Sequence, residues 1–363
     1  MKKIKVNKEK LIWSGRFLDN KGIRYFDYSA SGFCFVMKGC KAEATFLSDA
    51  ELWTEENQAV LGIFITEGKD TGLRDIPEEP GKRIILGKKE NKCLLFESEI
   101  EKTVCVRVMK FSEAAFAYAG LKEIEIEGEL IETSGAKSNK KQLKLEFIGD
   151  SITCGYGIEG VWEKDTFTTM QERPDKAYAF LTARTLDAQV QLCSWSGIGL
   201  ISNYVDPETE NLPATHWLMP SVWPYTDKSL SLRLGLEPEV WNANRYDPDI
   251  VIINIGTNDI SWIRGIEDRR MSYVAELRQL LEAVHRRSPG ASICCCLGLM
   301  GEELNASVRE SVELFKKDFQ KVKAGFLAFK EQDEKDGIGT DWHPSAATHR
   351  KAAEKLSRYL LNL

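Results

Sequence analysis

Residues 145–155 read Leu-Glu-Phe-Ile-Gly-Asp-Ser-Ile-Thr-Cys-Gly, an apolar run that ends in Gly149-Asp150-Ser151. A short apolar run followed by Gly and Asp predicts a buried β-strand that ends in a turn. Ser151 then has two interpretations. It is a turn or helix-capping serine, the commonest role of Ser beside Gly and Asp, or it is a nucleophile. The tripeptide alone does not decide between them.

Three further blocks follow in order, each at the end of its own apolar run: Ser196-Gly197, Gly256-Thr-Asn258-Asp259 and Asp341-Trp-His343-Pro. The first suits an oxyanion donor, because a glycine N–H can approach a substrate oxygen closely. The amide of Asn258 is a second, neutral donor. The alternative interpretation of Gly197 is a turn glycine, and that of Asn258 is a helix cap or an Asx-turn. Together with a histidine that can act as base, these are the parts of an acyl-transfer hydrolase.

From residue 143 onward, apolar runs alternate with amphipathic helical patterns. Strands are predicted at 143–148, 189–193, 250–255, 292–297 and 325–328, and helices at 268–287, 303–320 and 346–361. This alternation predicts a parallel sheet with helices on both faces. Catalytic groups in such sheets gather at the carboxyl ends of the strands, where all four blocks lie.

The first 130 residues show a different pattern. Closely spaced runs with strand chemistry occur there without a helical period, among them 32–37, 44–47, 92–96, 103–109 and the alternation over 124–130. Many short strands of this kind predict an all-β sandwich. The polar stretch 133–142 predicts a linker, which gives a β-domain at 1–135 and a catalytic domain at 143–363. Two domains suit a chain of 363 residues.

Composition narrows the function classes. A net charge of −6, spread along the chain, argues against nucleic-acid and anionic-membrane partners, and no apolar run is long enough to span a membrane. Cys294, Cys295 and Cys296 are predicted as small core residues rather than metal ligands, because adjacent strand residues point to opposite faces. Nine cysteines without a metal-type CxxC pair, and a basic N-terminus without a secretory apolar stretch, favour the cytoplasm.

The four blocks resemble those of the SGNH (GDSL-type) hydrolases over about residues 143–363. The extended run Gly-Asp-Ser-Ile-Thr-Cys-Gly-Tyr-Gly and the block Asp341-Trp-His-Pro are more similar still to carbohydrate esterase family 2. Members of that family join an N-terminal jelly-roll β-sandwich to an α/β/α SGNH domain. They remove acetyl groups from plant polysaccharides such as xylan and mannan, without a metal or cofactor. The resemblance implies the same layout and chemistry here.

The resemblance also implies site residues. Ser151 is the expected nucleophile and His343 the general acid/base. The expected oxyanion hole consists of the backbone N–H groups of Ser151 and Gly197 and the Asn258 side chain. Most SGNH enzymes place an Asp three residues before the histidine, where this chain has Thr340.

The orienting group for the imidazole is therefore expected one residue later. Asp341 or the carbonyl of Trp342 can serve, and Asp341 is the one we expect. Aromatic side chains that adjoin the blocks are predicted to form walls of a sugar-binding cleft: Tyr156, Trp262 and Trp342.

The sequence thus predicts a serine esterase that deacetylates plant-derived oligosaccharides, such as acetylated mannan or xylan fragments, through an acetyl-enzyme. Two alternatives remain at this level. One is an SGNH lipase or thioesterase acting on longer acyl chains. The other is a carbohydrate-binding protein with a vestigial hydrolase domain. Comparing esters of increasing acyl length would distinguish a lipase or thioesterase from a deacetylase. Glycan binding without acetate release would identify a carbohydrate-binding protein. The oligomeric state is open.

Overall fold

The computed structural model describes residues 10–69, 71–132, 142–206, 208 and 211–363. The predicted linker at 133–142 lies outside these residues, apart from Gln142. The domain boundary at this linker therefore stays a prediction. No helix in the described ranges is long and apolar enough to cross a membrane.

The N-terminal part is an antiparallel sheet of eight strands: β1 Ile12–Ser14, β2 Leu18–Asn20, β3 Ile23–Phe26, β4 Gly32–Leu47, β5 Ala59–Glu67, β6 Lys82–Leu86, β7 Glu90–Lys110 and β8 Ala119–Ile131. Their order is β2-β3-β8-β4-β7-β5-β6, with β1 paired to β4. The predicted all-β character of this region is confirmed.

Strands β4 and β7 are longer than the sequence pattern predicts. The runs at 32–37 and 44–47 are both part of β4, and those at 92–96 and 103–109 are both part of β7. The register between the two strands shifts after Gly39 and again after Ala42. Such bulges bend a strand and increase its twist, so one sheet curls around its own apolar face. The jelly-roll arrangement stays a prediction.

The C-terminal part is a parallel sheet of five strands: β9 Lys144–Gly149, β10 Gln189–Ser194, β11 Ile250–Asn254, β12 Ser292–Leu297 and β13 Ala324–Ala328. Their order is β10-β9-β11-β12-β13, and every pair is parallel. Around it lie α1 Ser151–Cys154, α2 Tyr178–Leu186, α3 Met219–Val222, α4 Lys228–Arg233, α5 Thr257–Ile263, α6 Glu267–Arg287, α7 Asn305–Asp318 and α8 Ala346–Leu360. The predicted α/β region with a parallel sheet is confirmed.

Apolar side chains of the parallel sheet alternate between two cores. Phe147 and Cys294 face the core under α2 and α8, whereas Ile148 and Cys295 face the core under α6 and α7. The consecutive cysteines are thus buried on opposite faces, as strand geometry requires. Helix α2 is absent from the predicted helices because Tyr178, Ala179 and Phe180 are all buried in succession, which hides a 3.6-residue period.

The antiparallel sheet packs directly against the α/β part. Phe64 and Phe111 belong to the same buried cluster as Phe147 and Tyr178. Below this contact, Arg16 lies 2.9 Å from Glu146 on β9, and both side chains are fully buried. The two parts therefore share a continuous core.

The register of the central strands sets the position of the site. Gly149 at the end of β9 lies opposite Ser194 of β10 on one side and Asn254 of β11 on the other. The loops after these three strands therefore begin at the same level. This is the point where the strand order reverses, which is where ligands bind in open α/β sheets.

Candidate active site

Ser151 lies at the abrupt turn from strand β9 into helix α1. Asp150, rather than Ser151, is the N-cap, since its Oδ1 accepts from the Ile152 N–H at 3.0 Å. Gly149 is required for this turn, because a Cβ there would collide with the Thr153 side chain. Burial raises the pKa of the Asp150 carboxyl to about 7. The turn leaves the Ser151 hydroxyl at the carboxyl edge of the sheet.

His343 reaches Ser151 from the loop before α8. Its Nε2 lies 2.8 Å from Ser151 Oγ, although 192 residues separate the two. Its Nδ1 lies 3.1 Å from the carbonyl oxygen of Thr340 and 3.0 Å from that of Asp341. Because carbonyl oxygens only accept, Nδ1 carries the proton and Nε2 presents a lone pair to the hydroxyl. This is the tautomer that a general base needs.

Electrostatics keep this imidazole neutral. Burial lowers the pKa of His343 to about 4, and the two backbone carbonyls and the Asp341 charge counteract this only in part. At neutral pH the ring is therefore ready to accept a proton from Ser151.

Neither expected orienting group contacts the imidazole. The Asp341 carboxylate is exposed and accepts from the Tyr156 hydroxyl at 2.9 Å. The Trp342 carbonyl accepts instead from Gln332 Nε2 at 2.6 Å. The structure therefore gives the Asp341 carboxylate and the Trp342 carbonyl hydrogen-bond partners other than the ring nitrogens of His343. Asp341 and Trp342 both adopt positive φ, 53° and 63°, and this turn aims backbone carbonyls rather than a side chain at the ring.

The expected oxyanion donors lie on neighbouring loops. The N–H groups of Ser151 and Gly197 donate to no acceptor within the part of the chain that the structure describes. Gly197 has φ of +75°, and nothing lies within 4 Å of where its Cβ would stand. Asn258 Nδ2 donates one hydrogen to the Ile198 carbonyl at 2.8 Å and keeps its second for another acceptor.

Asp259 has a role that the sequence alone does not reveal. Its buried carboxylate accepts from the N–H groups of Leu200, Ile201 and Ser202 at 3.0, 2.8 and 3.1 Å. Burial raises its pKa to about 6, while these backbone donors oppose the shift. Asp259 anchors the loop that carries Gly197.

Aromatic side chains lie on one side of His343. The Tyr156 ring lies 4.5 Å from the imidazole and stacks on Phe167 at 3.7 Å. Trp342 packs edge to face against Trp162 at 4.3 Å, and Trp162 is 37% exposed. Phe167 and Trp162 were not predicted, since no periodicity marks their loop.

The contacts of Trp262 differ from those of Tyr156 and Trp342, the other two predicted cleft residues. The guanidinium of Arg269 lies 3.5 Å from the centre of its ring, and Arg269 also donates to the Trp262 carbonyl at 2.6 Å. Both contacts join Trp262 to α6.

Two other histidines, His349 and His216, have partners other than Ser151. His349 is fully buried, and its Nδ1 accepts from the Tyr178 N–H at 3.1 Å. Its burial lowers its pKa to about 3. His216 is exposed beside Trp217. No group of three or more His, Cys, Asp or Glu side chains in the described ranges is arranged to hold a metal ion.

Known proteins share both the sequence and the architecture. Residues 147–351 match the model of the GDSL-like Lipase/Acylhydrolase family. Cellulase/esterase CelE of Acetivibrio thermocellus is 38% identical over 223 residues, which cover 60% of this chain and 25% of CelE. An acetylxylan esterase / glucomannan deacetylase of Cellvibrio japonicus is 30% identical over 220 residues, or 60% of this chain and 56% of that protein. The chain thus spans about a quarter and about half of these relatives.

Solved structures extend the similarity to the full length. A family two carbohydrate esterase from Clostridium thermocellum, solved in complex with cellohexaose, has a TM-score of 0.80 and 29% identity and covers 97% of this chain and 98% of its own. An acetyl xylan esterase from Butyrivibrio proteoclasticus has a TM-score of 0.83 at 21% identity, with 99% and 98% covered. The second likeness concerns the fold alone. Both halves of the fold therefore occur together in other proteins.

Proposed function

The chain belongs to the GDSL-like lipase/acylhydrolase family, and from this premise we propose that it is a serine esterase that removes O-acetyl groups from plant-derived oligosaccharides. The observation that carries the proposal is the contact of 2.8 Å between Ser151 Oγ and an unprotonated His343 Nε2. The named relatives, an esterase and an acetylxylan esterase / glucomannan deacetylase, support the substrate class.

The first half of the reaction forms an acetyl-enzyme. Ser151 Oγ attacks the acetyl carbonyl carbon while His343 Nε2 takes its proton. The resulting oxyanion accepts hydrogen bonds from the N–H groups of Ser151 and Gly197 and from Asn258 Nδ2. The carbon–oxygen bond to the sugar then breaks, and His343 returns the proton to the departing sugar oxygen.

The second half releases acetate. A water molecule gives a proton to His343 and attacks the acetyl carbonyl, and the same three donors hold the second oxyanion. The proton then returns to Ser151 Oγ as acetic acid leaves, and the acid loses its remaining proton to the solvent to give acetate. In each half, the carbonyls of Thr340 and Asp341 stabilise the positive charge on the imidazolium through their hydrogen bond to Nδ1.

Aromatic faces beside His343 support a sugar substrate. The Tyr156 ring lies beside the His343 imidazole, and Trp342, the residue before His343, packs against the exposed Trp162. Aromatic rings pack well against the apolar faces of sugar rings while leaving hydroxyl groups to water. We assign these three residues to substrate binding and leave Trp262 out, because Arg269 covers a face of its ring.

Ser151→Ala tests the mechanism. Acetate release from acetylated manno- and xylo-oligosaccharides, followed by NMR, is expected to fall by at least about a thousandfold. Ser311→Ala is the matched control, since it removes a buried hydroxyl that donates to the Val274 carbonyl far from the site. Activity in Ser151→Ala close to that of the control would contradict the proposal.

The acyl chain is tested separately. Acetyl, butyryl and octanoyl esters of one alcohol are compared, and the acetyl ester is expected to react fastest. Faster hydrolysis of the octanoyl ester would instead indicate a lipase. Glycan binding by a wild-type protein that releases no acetate would indicate a carbohydrate-binding protein.

We further propose that the protein works in a reducing compartment, the cytoplasm. Eight of its nine cysteine thiols are buried among other side chains, which supports this location because thiols persist there. Fractionation of the source cells should then find the protein inside them. Recovery mainly from the culture medium would contradict the proposal.

A further inference from the structure

A buried carboxylate from the antiparallel-sheet part contacts the loops of the proposed active site. Glu113 follows β7 and is fully buried. Its Oε2 accepts from the N–H of Ser196 at 2.5 Å and from Cys154 Sγ at 3.5 Å. Ser196 directly precedes Gly197, and Cys154 ends the helix that begins at Ser151. One oxygen therefore links the two segments that carry the backbone oxyanion donors.

Glu113 is itself held from both sides of the interface. Lys110 Nζ donates to the carbonyl of Glu113 at 3.0 Å and pairs with Asp27 at 3.3 Å. From the catalytic part, Glu172 Oε2 accepts from the Glu113 N–H at 3.0 Å. All of these side chains are fully buried. The carboxylate thus projects from a backbone whose position is fixed.

The protonation of the carboxyl pair agrees with this geometry. Burial raises the pKa of Glu172 well above its ordinary range, and the nearby Glu113 charge adds to the shift. Burial also raises the pKa of Glu113, but hydrogen bonds from Ser196 oppose it. Glu172 therefore holds the proton that the pair keeps, and Glu113 remains the acceptor for the Ser196 N–H.

The loop that carries Gly197 requires an external contact to fix its conformation. Gly197 has φ of +75° and open space where a Cβ would stand, so packing does not set its orientation. On its C-terminal side, the Gly197 carbonyl accepts from the Tyr204 N–H at 2.9 Å. On its N-terminal side, the hydrogen bond from Ser196 to Glu113 completes the restraint. An oxyanion donor must be held in place before the reaction to be effective.

We propose that Glu113 is a positioning residue for the oxyanion hole. It holds the Ser196 amide and thereby directs the Gly197 N–H toward the reacting carbonyl. The inference rests on the proposed esterase function and adds to it, because it gives the antiparallel-sheet part a role in the chemical step. The N-terminal region would then contribute directly to the alignment of the oxyanion hole.

The test uses the full chain and two substrates, p-nitrophenyl acetate and its thionoacetate analogue. Sulfur accepts hydrogen bonds poorly, so an intact oxyanion hole favours the oxygen ester, and a misaligned hole favours it less. Glu113→Ala is expected to lower kcat for the acetate by about ten- to a hundredfold. KM should change by about twofold or less, since the hole binds the transition state and not the ground state. The preference for the oxygen ester should fall in parallel.

Conservative variants separate positioning from stability. Glu113→Gln keeps an oxygen that accepts from Ser196 and should recover most of the preference. Glu113→Asp keeps the charge but withdraws the oxygen by one methylene, and should lose the preference. This comparison also serves if Glu113→Ala does not fold. The reverse order of Gln and Asp would overturn the proposal.

Thr169→Val is the matched control. Thr169 is buried, and its Oγ1 donates across the same interface to the Gln58 carbonyl at 2.7 Å. It should leave both kcat and the substrate preference unchanged. An equal loss in this control would mean that any interface defect has the effect, and would overturn the role of Glu113. An active Ser151→Ala would overturn the esterase function instead, whatever the Glu113 variants do.

Discussion

His343 is oriented by backbone carbonyls, which changes what a substitution at Asp341 should do. In a Ser-His-Asp triad, the carboxylate selects the imidazole tautomer, and its replacement by Asn costs about 10⁴-fold in kcat. Here the carbonyls of Thr340 and Asp341 select it. The Asp341 carboxylate accepts from the Tyr156 hydroxyl at 2.9 Å and acts on His343 only through its charge.

Asp341→Asn should therefore keep most of the activity. The amide oxygen still accepts from Tyr156, and Asn tolerates the left-handed φ of 53° at this position. We expect kcat to fall by less than about tenfold, against the roughly 10⁴-fold loss of a triad. Steady-state kinetics on an acetyl ester measure this. A loss of several thousandfold would return the orienting role to the carboxylate.

The pH profile should report the ionisation of the His343 imidazole. The pKa of His343 is lowered to about 4, so the ring loses its base function only when pH falls through that value. We expect kcat/KM to be flat near neutrality and to decline with a midpoint near pH 4. Kinetics over pH 3–8, with circular dichroism at each pH to exclude unfolding, measure this.

A decline of kcat/KM with a different midpoint would indicate that a different group controls activity. A decline near the ordinary histidine pKa of about 6.5 would mean that the ring is solvated in the working enzyme. A decline near pH 6 would point to Asp259, whose pKa burial raises to about 6. Either result contradicts the prediction for His343.

At the level of elements, the loop after β10 depends on helix α5. The Asp259 carboxylate accepts three successive N–H groups from residues 200–202. Asp259→Asn can keep the oxygen that all three N–H groups share, but it removes the negative charge and places an amide nitrogen where Oδ2 accepts from the Leu200 N–H. We expect the free energy of unfolding to fall by about 2–3 kcal/mol, typical of hydrogen bonds to a charged group. Urea denaturation measures the loss.

A surface Asp provides the control for this element. Asp318 pairs with Arg278 at 2.5 Å, with about half of its side chain exposed. Asp318→Asn should change the free energy of unfolding by less than about 1 kcal/mol, because surface ion pairs contribute little. Equal losses in the two variants would contradict the anchoring role of Asp259.

The antiparallel strands show where sequence patterns stop predicting elements. The runs within β4 and β7 were each recognised, but they were read as separate strands. Polar residues and Gly39 interrupt the alternation where the register shifts, and a bulge has the same local pattern as a turn. The strands of the parallel sheet were predicted more closely, because both of their faces are buried and their apolar runs are continuous.

At the level of the whole molecule, the shared core predicts cooperative unfolding. Side chains of β5 and of the segment after β7 lie in one cluster with those of β9 and α2. We expect a single thermal transition whose calorimetric enthalpy equals the van't Hoff enthalpy. Scanning calorimetry measures both. Two separate transitions would show that the parts unfold independently.

A substitution at Phe111 also tests whether the two parts unfold cooperatively. It is fully buried, packs against Phe64, and lies under the Arg173 guanidinium of the catalytic part. Phe111→Ala should destabilise the entire chain by about 3–5 kcal/mol and lower the one transition without splitting it. Ile100→Ala is the control on β7, since Ile100 is 66% exposed and should leave the transition unchanged.

The sequence by itself determined the chemistry and its order along the chain. Ser151, Gly197, Asn258 and His343 were recognisable because each follows an apolar run, and parallel strands bring their carboxyl ends to one edge. That reasoning depends only on local patterns and on general sheet geometry. It therefore reached the contact between Ser151 and His343 across 192 residues.

Only the tertiary structure decided how these groups are held. The turn at Asp341 and Trp342 aims carbonyls at His343, Asp259 anchors residues 200–202, and Glu113 reaches the oxyanion loop from another sheet. Carbonyls belong to every residue, so no sequence pattern marks which of them face a ring. A buried carboxylate likewise depends on partners distant in the chain, and their proximity arises only when the two parts pack together.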